Sequence, residues 1–387
     1  MSRSTDRSRR EYVCALGLAW LGVSSSVSLL RALQLDGAQG VWNATRTTLL
    51  SWGMAERAAT AFLNARRCFN PQEAEAVLLR TGQFFVPYGS DLYPAELCQL
   101  ASPPAGLFVR GPRKAVERVL QIPRFTVVGT RKATAEGLAA ATGFVTALAR
   151  RGIAVISGLA LGIDAGAHRA ALESGGATVA VLGCGADVVY PPRNRWLYER
   201  IASGGSILSE LPPGANPTKW TFPHRNRLLA ALGDAVLVVE GSNTSGALQT
   251  ARWALEMGRP VYSVPGSIFK EASEGCNSLI YDGATPALRP EVMVEDFLEV
   301  TRMQRGQRST CEPARAAPGE QMEFCTGAET EGPRVRVLAA LETGPNSVDG
   351  LVTCTGLSVR EVCAALGGLQ VARLVDRAGP GMFTRAP

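Results

Sequence analysis

Six short, uninterrupted apolar runs (125–128, 153–156, 177–182, 206–208, 235–239 and 260–264), separated by helix-length stretches, constrain this chain most. Strands buried on both faces read this way, because neither face has to be polar. Parallel neighbours need a crossover of a dozen or more residues, which the intervening stretches supply. The runs therefore predict an α/β fold, a doubly wound and mainly parallel sheet over 122–300. In such sheets ligands sit outside the carboxyl ends of the strands, so function is sought in the loops that follow them.

The rest of the 387 residues is organised around that core. Residues 1–80 have helical periodicity broken at Asp36-Gly37, Ser51-Trp52-Gly53 and Asn70-Pro71, and predict a small helical domain. The apolar stretch after Arg7–Arg10 is flanked by Glu11 and continues at helical spacing, which favours a packed helix over a signal peptide. Residues 81–121 read as an extended connector with proline turns, and 301–332 as a flexible polar linker. Over 333–387, three helical stretches near 335–341, 347–354 and 358–369 precede a strand–turn–strand at 374–384, the pattern of a winged helix. Ser347 and Ser358 are expected N-caps.

Composition excludes several classes. Nine cysteines form no CxxC pair and only two histidines are present, which argues against a disulfide framework and a metal site, and suits a reducing, cytoplasmic setting. No segment approaches the ~20 apolar residues of a membrane span. The net charge is +6, yet residues 122–300 carry 16 basic against 16 acidic side chains. An anion site in the core must therefore come from local arrangement.

Three strand-end loops supply such an arrangement. Gly129-Thr130-Arg131 precedes a helix start and adds a guanidinium fork to free backbone N–H groups. It matches neither GxxxxGK[ST] nor GxGxxG, so no nucleotide cofactor is signalled, and none is expected. Ser157-Gly158 opens a loop in which Asp164 precedes His168 by four residues. That spacing suits an acid/base pair, though a helix cap is the plainer reading. Between Glu210 and Asp234 the chain has no acidic residue, and Lys219, Arg225 and Arg227 lie among Trp220 and Phe222. Charge to neutralise a backbone beside faces on which bases stack is what single-stranded nucleic acid requires. Glu240, after the fifth run, is a candidate catalytic carboxylate, but no nucleophile, base and orienter converge with it in sequence.

In this order, Val128-Gly129-Thr130-Arg131, Ser157-Gly158-Leu159-Ala160 with Asp164 and His168, Leu182-Gly183-Cys184-Gly185 with Tyr190-Pro191, Ser209-Glu210, Phe222-Pro223-His224-Arg225-Asn226-Arg227, Ser245-Gly246 and Val264-Pro265-Gly266 closely resemble the DNA-processing protein A (DprA/Smf) family over 122–285. Departures from its pattern include Thr130 in place of Ser and Ser278 in place of Arg. The resemblance implies an extended Rossmann-like sheet, a helical N-terminal domain of the SAM/HhH kind and a winged-helix tail. It further implies a non-enzymatic protein that protects single-stranded DNA entering by natural transformation and loads the RecA recombinase onto it; because occupancy of such DNA is extended, a homodimer is expected. Carried over residue by residue, the DNA pocket would comprise Gly129, Arg131, Ser157, Gly158, Lys219, Phe222, Arg225, Asn226, Arg227 and Lys270. The alternative is an enzyme acting on a nucleotide or nucleoside phosphate through Glu240, Asp164 and His168, which fold analogy alone supports.

Overall fold

The computed structural model describes residues 2–22, 27–309, 333–341, 346–357, 362, 365–366, 369, 375–379 and 382–385. The chain forms two compact units, Met1–Glu312 and Pro313–Pro387.

The first unit opens with five helices, α1 (Ser2–Trp20), α2 (Val27–Asn43), α3 (Arg46–Ser51), α4 (Glu56–Cys68) and α5 (Pro71–Arg80). All three breaks foreseen from sequence are present. Gly37, at φ 68°, kinks α2, Trp52 ends α3, and the Asn70 side chain accepts from the N–H groups of Gln72 and Glu73 to start α5. These helices do not fold apart from the sheet. Leu16 and Leu18 are fully buried, Tyr12 meets Phe85 edge-on at 5.8 Å, and Trp20 meets Phe108 at 6.0 Å.

Phe85 and Phe108 belong to two strands, β1 (Gln83–Pro87) and β2 (Gly106–Arg110), within the segment read as a connector. The pair is antiparallel, and β2 also runs antiparallel to β6 (Ser206–Ser209), nearly 100 residues further on. Its short apolar runs are hemmed in by Pro87, Pro103 and Pro104; β2 joins the sheet through this distant partner, and β1 through β2. Helix α6 (Arg113–Gln121) completes the segment.

All six apolar runs are strands: β3 (Arg124–Val128), β4 (Ala154–Ser157), β5 (Thr178–Leu182), β6 (Ser206–Ser209), β7 (Ala235–Val238) and β8 (Val261–Ser263). With the short β9 (Thr285–Pro286) they form one nine-stranded sheet in the order β1-β2-β6-β5-β4-β3-β7-β8-β9. Every pairing from β6 through β9 is parallel. Helices α7 (Ala135–Arg150), α8 (Ile163–Glu173), α9 (Arg195–Gly204), α10 (Thr221–Leu232), α11 (Gly246–Glu256), α12 (Glu271–Tyr281) and α13 (Pro290–Ser309) follow their strands. The sheet's apolar side chains divide between packed layers on its two faces. Helix α13 runs into the stretch read as a linker, the remainder of which lies outside the described residues.

Strand order runs outward from β3 through β4, β5 and β6 on one side and through β7, β8 and β9 on the other. The loops after β3 and β7 therefore diverge, and a crevice opens between them at the carboxyl edge.

In the second unit, α14 (Pro333–Ala340) and α15 (Val348–Thr355) accompany a three-stranded sheet ordered β10-β12-β11, formed by Asn346–Ser347, Met382–Arg385 and Val375–Gly379. Ser347 caps α15 by accepting from the Gly350 N–H at 3.1 Å. The expected cap at Ser358 lies outside the described residues, while Val362, Ala365, Leu366 and Leu369 are buried with Val337, Leu351 and Phe383.

Candidate nucleic-acid interface

The crevice between β3 and β7 is an open cleft of about 650 Å³. Its walls include Gly129, Thr130 and Arg131 after β3, Ser242, Thr244 and Gly246 after β7, and Lys219, Phe222, Arg225 and Asn226 at the start of α10. Thr134 caps α7 by accepting from the Gly137 N–H at 3.0 Å. Glu240 ties this turn to β7, accepting from the Thr134 N–H at 2.9 Å and the Thr134 hydroxyl at 2.6 Å. The Thr130 N–H donates to the Glu240 carbonyl at 2.7 Å. Both Glu240 oxygens are thus occupied in shaping the crevice.

The far wall is built by a reciprocal clasp. The Thr218 N–H donates to the Thr221 hydroxyl at 3.1 Å, and the Thr221 N–H donates to the Thr218 hydroxyl at 3.3 Å. It fixes the loop just before α10 and holds Lys219 and Trp220 outward. Pro223 fits the first turn, where its missing N–H costs nothing.

Arg131 is exposed, and its guanidinium lies 5.1 Å from the centre of the Phe222 ring, which also meets Tyr190 at 5.5 Å. A cation over one aromatic beside a second aromatic offers both a phosphate partner and a stacking face. Among the described residues, neither Arg131 nor Lys219 has a carboxylate within ion-pair distance.

Arg225 is buried at the cleft floor. Its Nη1 donates to the carbonyls of Gly158, at 2.9 Å, and Val181, and its Nε donates to Asn226 Oδ1 at 3.3 Å. Burial lowers its pKa, opposed by the charge of Asp164. A Cβ at residue 158 would stand 2.6 Å from this guanidinium, so only glycine leaves it in place. Asp164 accepts from the N–H groups of Gly158 and Ala160 at 3.2 and 3.3 Å. Burial raises its carboxyl, and Arg225 counters the rise. Asp164 thus closes the loop in front of its helix rather than pairing with His168. Gly162, at φ 77°, precedes that helix, and a side chain there would also strike the Thr130 carbonyl.

His168 is fully buried, with Nδ1 2.7 Å from the Thr178 hydroxyl. Burial pushes its pKa down to about 3, so the ring is neutral throughout the physiological range. The sequence-level Asp164–His168 pair is therefore not an acid/base couple.

Of the ten residues expected in the pocket, Gly129, Arg131, Lys219, Phe222, Arg225 and Asn226 line the cleft. Gly158 lines a recess that Arg131, Phe222 and Arg225 share. The other three lie elsewhere. Ser157 is buried and donates to the Val127 carbonyl at 2.6 Å, joining β4 to β3. Arg227 donates through Nη1 to the Ser102 carbonyl at 2.8 Å and through Nη2 to Glu210 Oε1 at 2.6 Å. Lys270 pairs with Glu136 on the exposed surface. Arg227 was separable in sequence, because residues i and i+2 of a helix do not share a face. Tyr190 was missed as a wall residue, although its Tyr-Pro loop follows a buried strand. Trp220 is 82% exposed and borders a second cavity rather than the cleft.

Known proteins share this fold. The family profile described as DNA recombination-mediator protein A matches residues 84–298, and that of the DprA winged helix domain matches 326–381. Protein Smf of Synechocystis is 35% identical over 389 residues, covering 95% of this chain and 97% of the relative. DNA processing protein DprA of Streptococcus pneumoniae is 41% identical over 207 residues, covering 54% and 72%. The crystal structure of the pneumococcal protein superposes with a TM-score of 0.64 at 30% identity, covering 74% of this chain and 97% of that one. DNA processing protein A from Helicobacter pylori, known for its single-stranded DNA binding mode, gives 0.50 at 29% identity, covering 56% and 96%. With one profile over more than half of its length and a relative aligned almost end to end, the chain belongs to the DNA-processing protein A (DprA/Smf) family.

Proposed function

We propose that the cleft between β3 and β7 binds single-stranded DNA, holding phosphates on Arg131, Lys219 and the backbone N–H groups of Gly129 and Arg131 while a base stacks on Phe222. The observation that carries this reading is the meeting of unpaired Arg131 with Phe222 above Arg225 in one open crevice. The Helicobacter relative's single-stranded DNA binding mode supports it. Arg225 acts from below, as a buried positive charge that sets the potential of the floor.

In the cell this protein would coat incoming single strands in natural transformation and hand them to the RecA recombinase, acting as a cytoplasmic homodimer. No helix among the described residues is long and apolar enough to cross a membrane. We favour a binding protein over a nucleotide-processing enzyme because the groups available for catalysis are engaged otherwise. Glu240 is held by Thr134, Asp164 by its own loop, and His168 is neutral and enclosed.

An electrophoretic shift with oligo(dT) tests the reading. Wild-type affinity should fall linearly on a log–log plot as salt rises, by ~0.7 per phosphate neutralised. Retention of full affinity and salt slope in Arg131→Ala would sink it. Release of phosphate or base from nucleotides, abolished by Glu240→Gln, would restore the enzymatic alternative. Recombinase filament assembly on protein-coated strands, compared with and without this protein, tests the hand-over.

A further inference from the structure

Behind Phe222 lies a second cavity of about 270 Å³, lined by Leu182, Leu211, Trp220, His224, Leu228 and Glu210 among others. That is several times the ~30 Å³ share of one water, a space open to a ligand of the size of a single base. Arg225 lines both this cavity and the main cleft, and the clasped loop places Lys219 on the cleft and its neighbour Trp220 on the cavity. A strand whose phosphates pass Lys219 therefore has a route for one base to turn inward behind the loop.

The chemistry of the wall selects what that base can be. Glu210 accepts from Arg227 Nη2, and His224 Nε2 stands 3.4 Å from its Oε2. A carboxylate has about four lone-pair sites, so this one retains acceptor capacity. Its charge repels phosphate and favours N–H donors. Leu211 and Leu228 supply an apolar wall, and Trp220 supplies a broad stacking face at the mouth. Guanine alone among the bases carries two adjacent donors, N1–H and N2–H, next to the acceptor O6, for which Arg225 on the same wall is a donor. Thymine offers a single N–H.

We infer that this cavity is a base-selective subsite for an unstacked guanine, so that the protein binds single strands with a preference the phosphate-holding cleft cannot provide. The inference rests on single-stranded DNA occupying the cleft. Anisotropy titrations with labelled oligo(dT), the same oligomer with one central guanine, and one with hypoxanthine at that position provide the test. The guanine should tighten binding about fivefold or more, the scale of one stacked base. Hypoxanthine, which lacks the exocyclic amine, should lose most of that gain. Trp220→Ala should abolish the gain while leaving oligo(dT) affinity within about twofold, and guanine should quench wild-type indole fluorescence more than thymine does. Equal affinity for the guanine and all-thymine oligomers, or a gain that survives Trp220→Ala, overturns the subsite alone. Failure to bind either oligomer removes the cleft reading together with it.

Discussion

Two arginines two residues apart on α10 have opposite employment. Arg225 points beneath the open cleft, where carbonyls and Asp164 surround it and Arg131 stands above the neighbouring Phe222. Arg227 turns to the other side of the helix and closes on Glu210 and Ser102. Burial alone would raise the Glu210 carboxyl, but hydrogen bonding from His224 and the Arg227 charge outweigh it and hold the pKa below its ordinary value. The ion pair closed on a buried carboxylate commits Arg227 to the fold, whereas Arg225, with no carboxylate within ion-pair distance among the described residues, leaves its charge to the cleft.

The sharpest way to break that distinction is to remove the inner pair. Arg227→Met should destabilise the first unit by about 3–5 kcal/mol, because Glu210 would be left buried without its partner. Denaturant unfolding measures the loss. Below the transition, oligo(dT) affinity should change less than about twofold. A large affinity loss without destabilisation would place Arg227 with the ligand-binding cations.

Arg131→Ala should do the reverse. Losing one charge-assisted contact to phosphate costs on the order of 1.5–3 kcal/mol of binding, roughly tenfold or more in affinity. The salt slope should fall by ~0.7. Stability should move by no more than about 0.5 kcal/mol, as for other exposed substitutions. Together the two variants form a double dissociation that neither alone establishes.

The third outcome concerns a group that belongs wholly to the fold. His168 has a folded-state pKa of about 3 against an ordinary value near 6.5, so the unfolded chain binds a proton that the folded chain refuses. Its contribution to stability is constant above ~6.5 and is lost as pH falls below that value, at ~1.4 kcal/mol per pH unit. Unfolding free energies measured from pH 7 to 5 should decline less steeply in His168→Asn than in wild type by that slope. Equal slopes would mean that the imidazole is protonated in the folded protein.

These contrasts also show what the sequence can carry. The six central strands were legible because a strand enclosed on both faces has to be apolar throughout, a local property. β1 and β2 were not, because β2 joins the sheet only through the distant β6, and β1 joins it only through β2. The cleft was legible as a set of strand-end loops, since topology alone brings the ends of β3 and β7 together. The division of labour within Phe222–Arg227 depends on which neighbour each side chain meets. Glu210, supplied by the preceding strand's end, is the residue that withdraws Arg227. Lys270 was grouped with the pocket by the family resemblance, and the partner that occupies it, Glu136, comes from a helix 134 residues earlier.

Lys270 gives the smallest expected effect and the finest test of where the interface stops. Its ion pair with Glu136 is exposed on both sides, so Lys270→Ala should change stability by only about 0–1 kcal/mol. A phosphate would have to displace Glu136 to reach the ammonium, and little is gained by exchanging one anion for another at a solvated site. Oligo(dT) affinity and salt slope should therefore match wild type. Glu136→Gln frees the lysine without removing it. If that variant binds oligo(dT) more tightly and with a steeper salt slope while Lys270→Ala is neutral, the limit of the interface is set by pairing and not by distance. A strand already touching Lys270 in the wild type would instead make the alanine variant weaker by a phosphate's worth of slope.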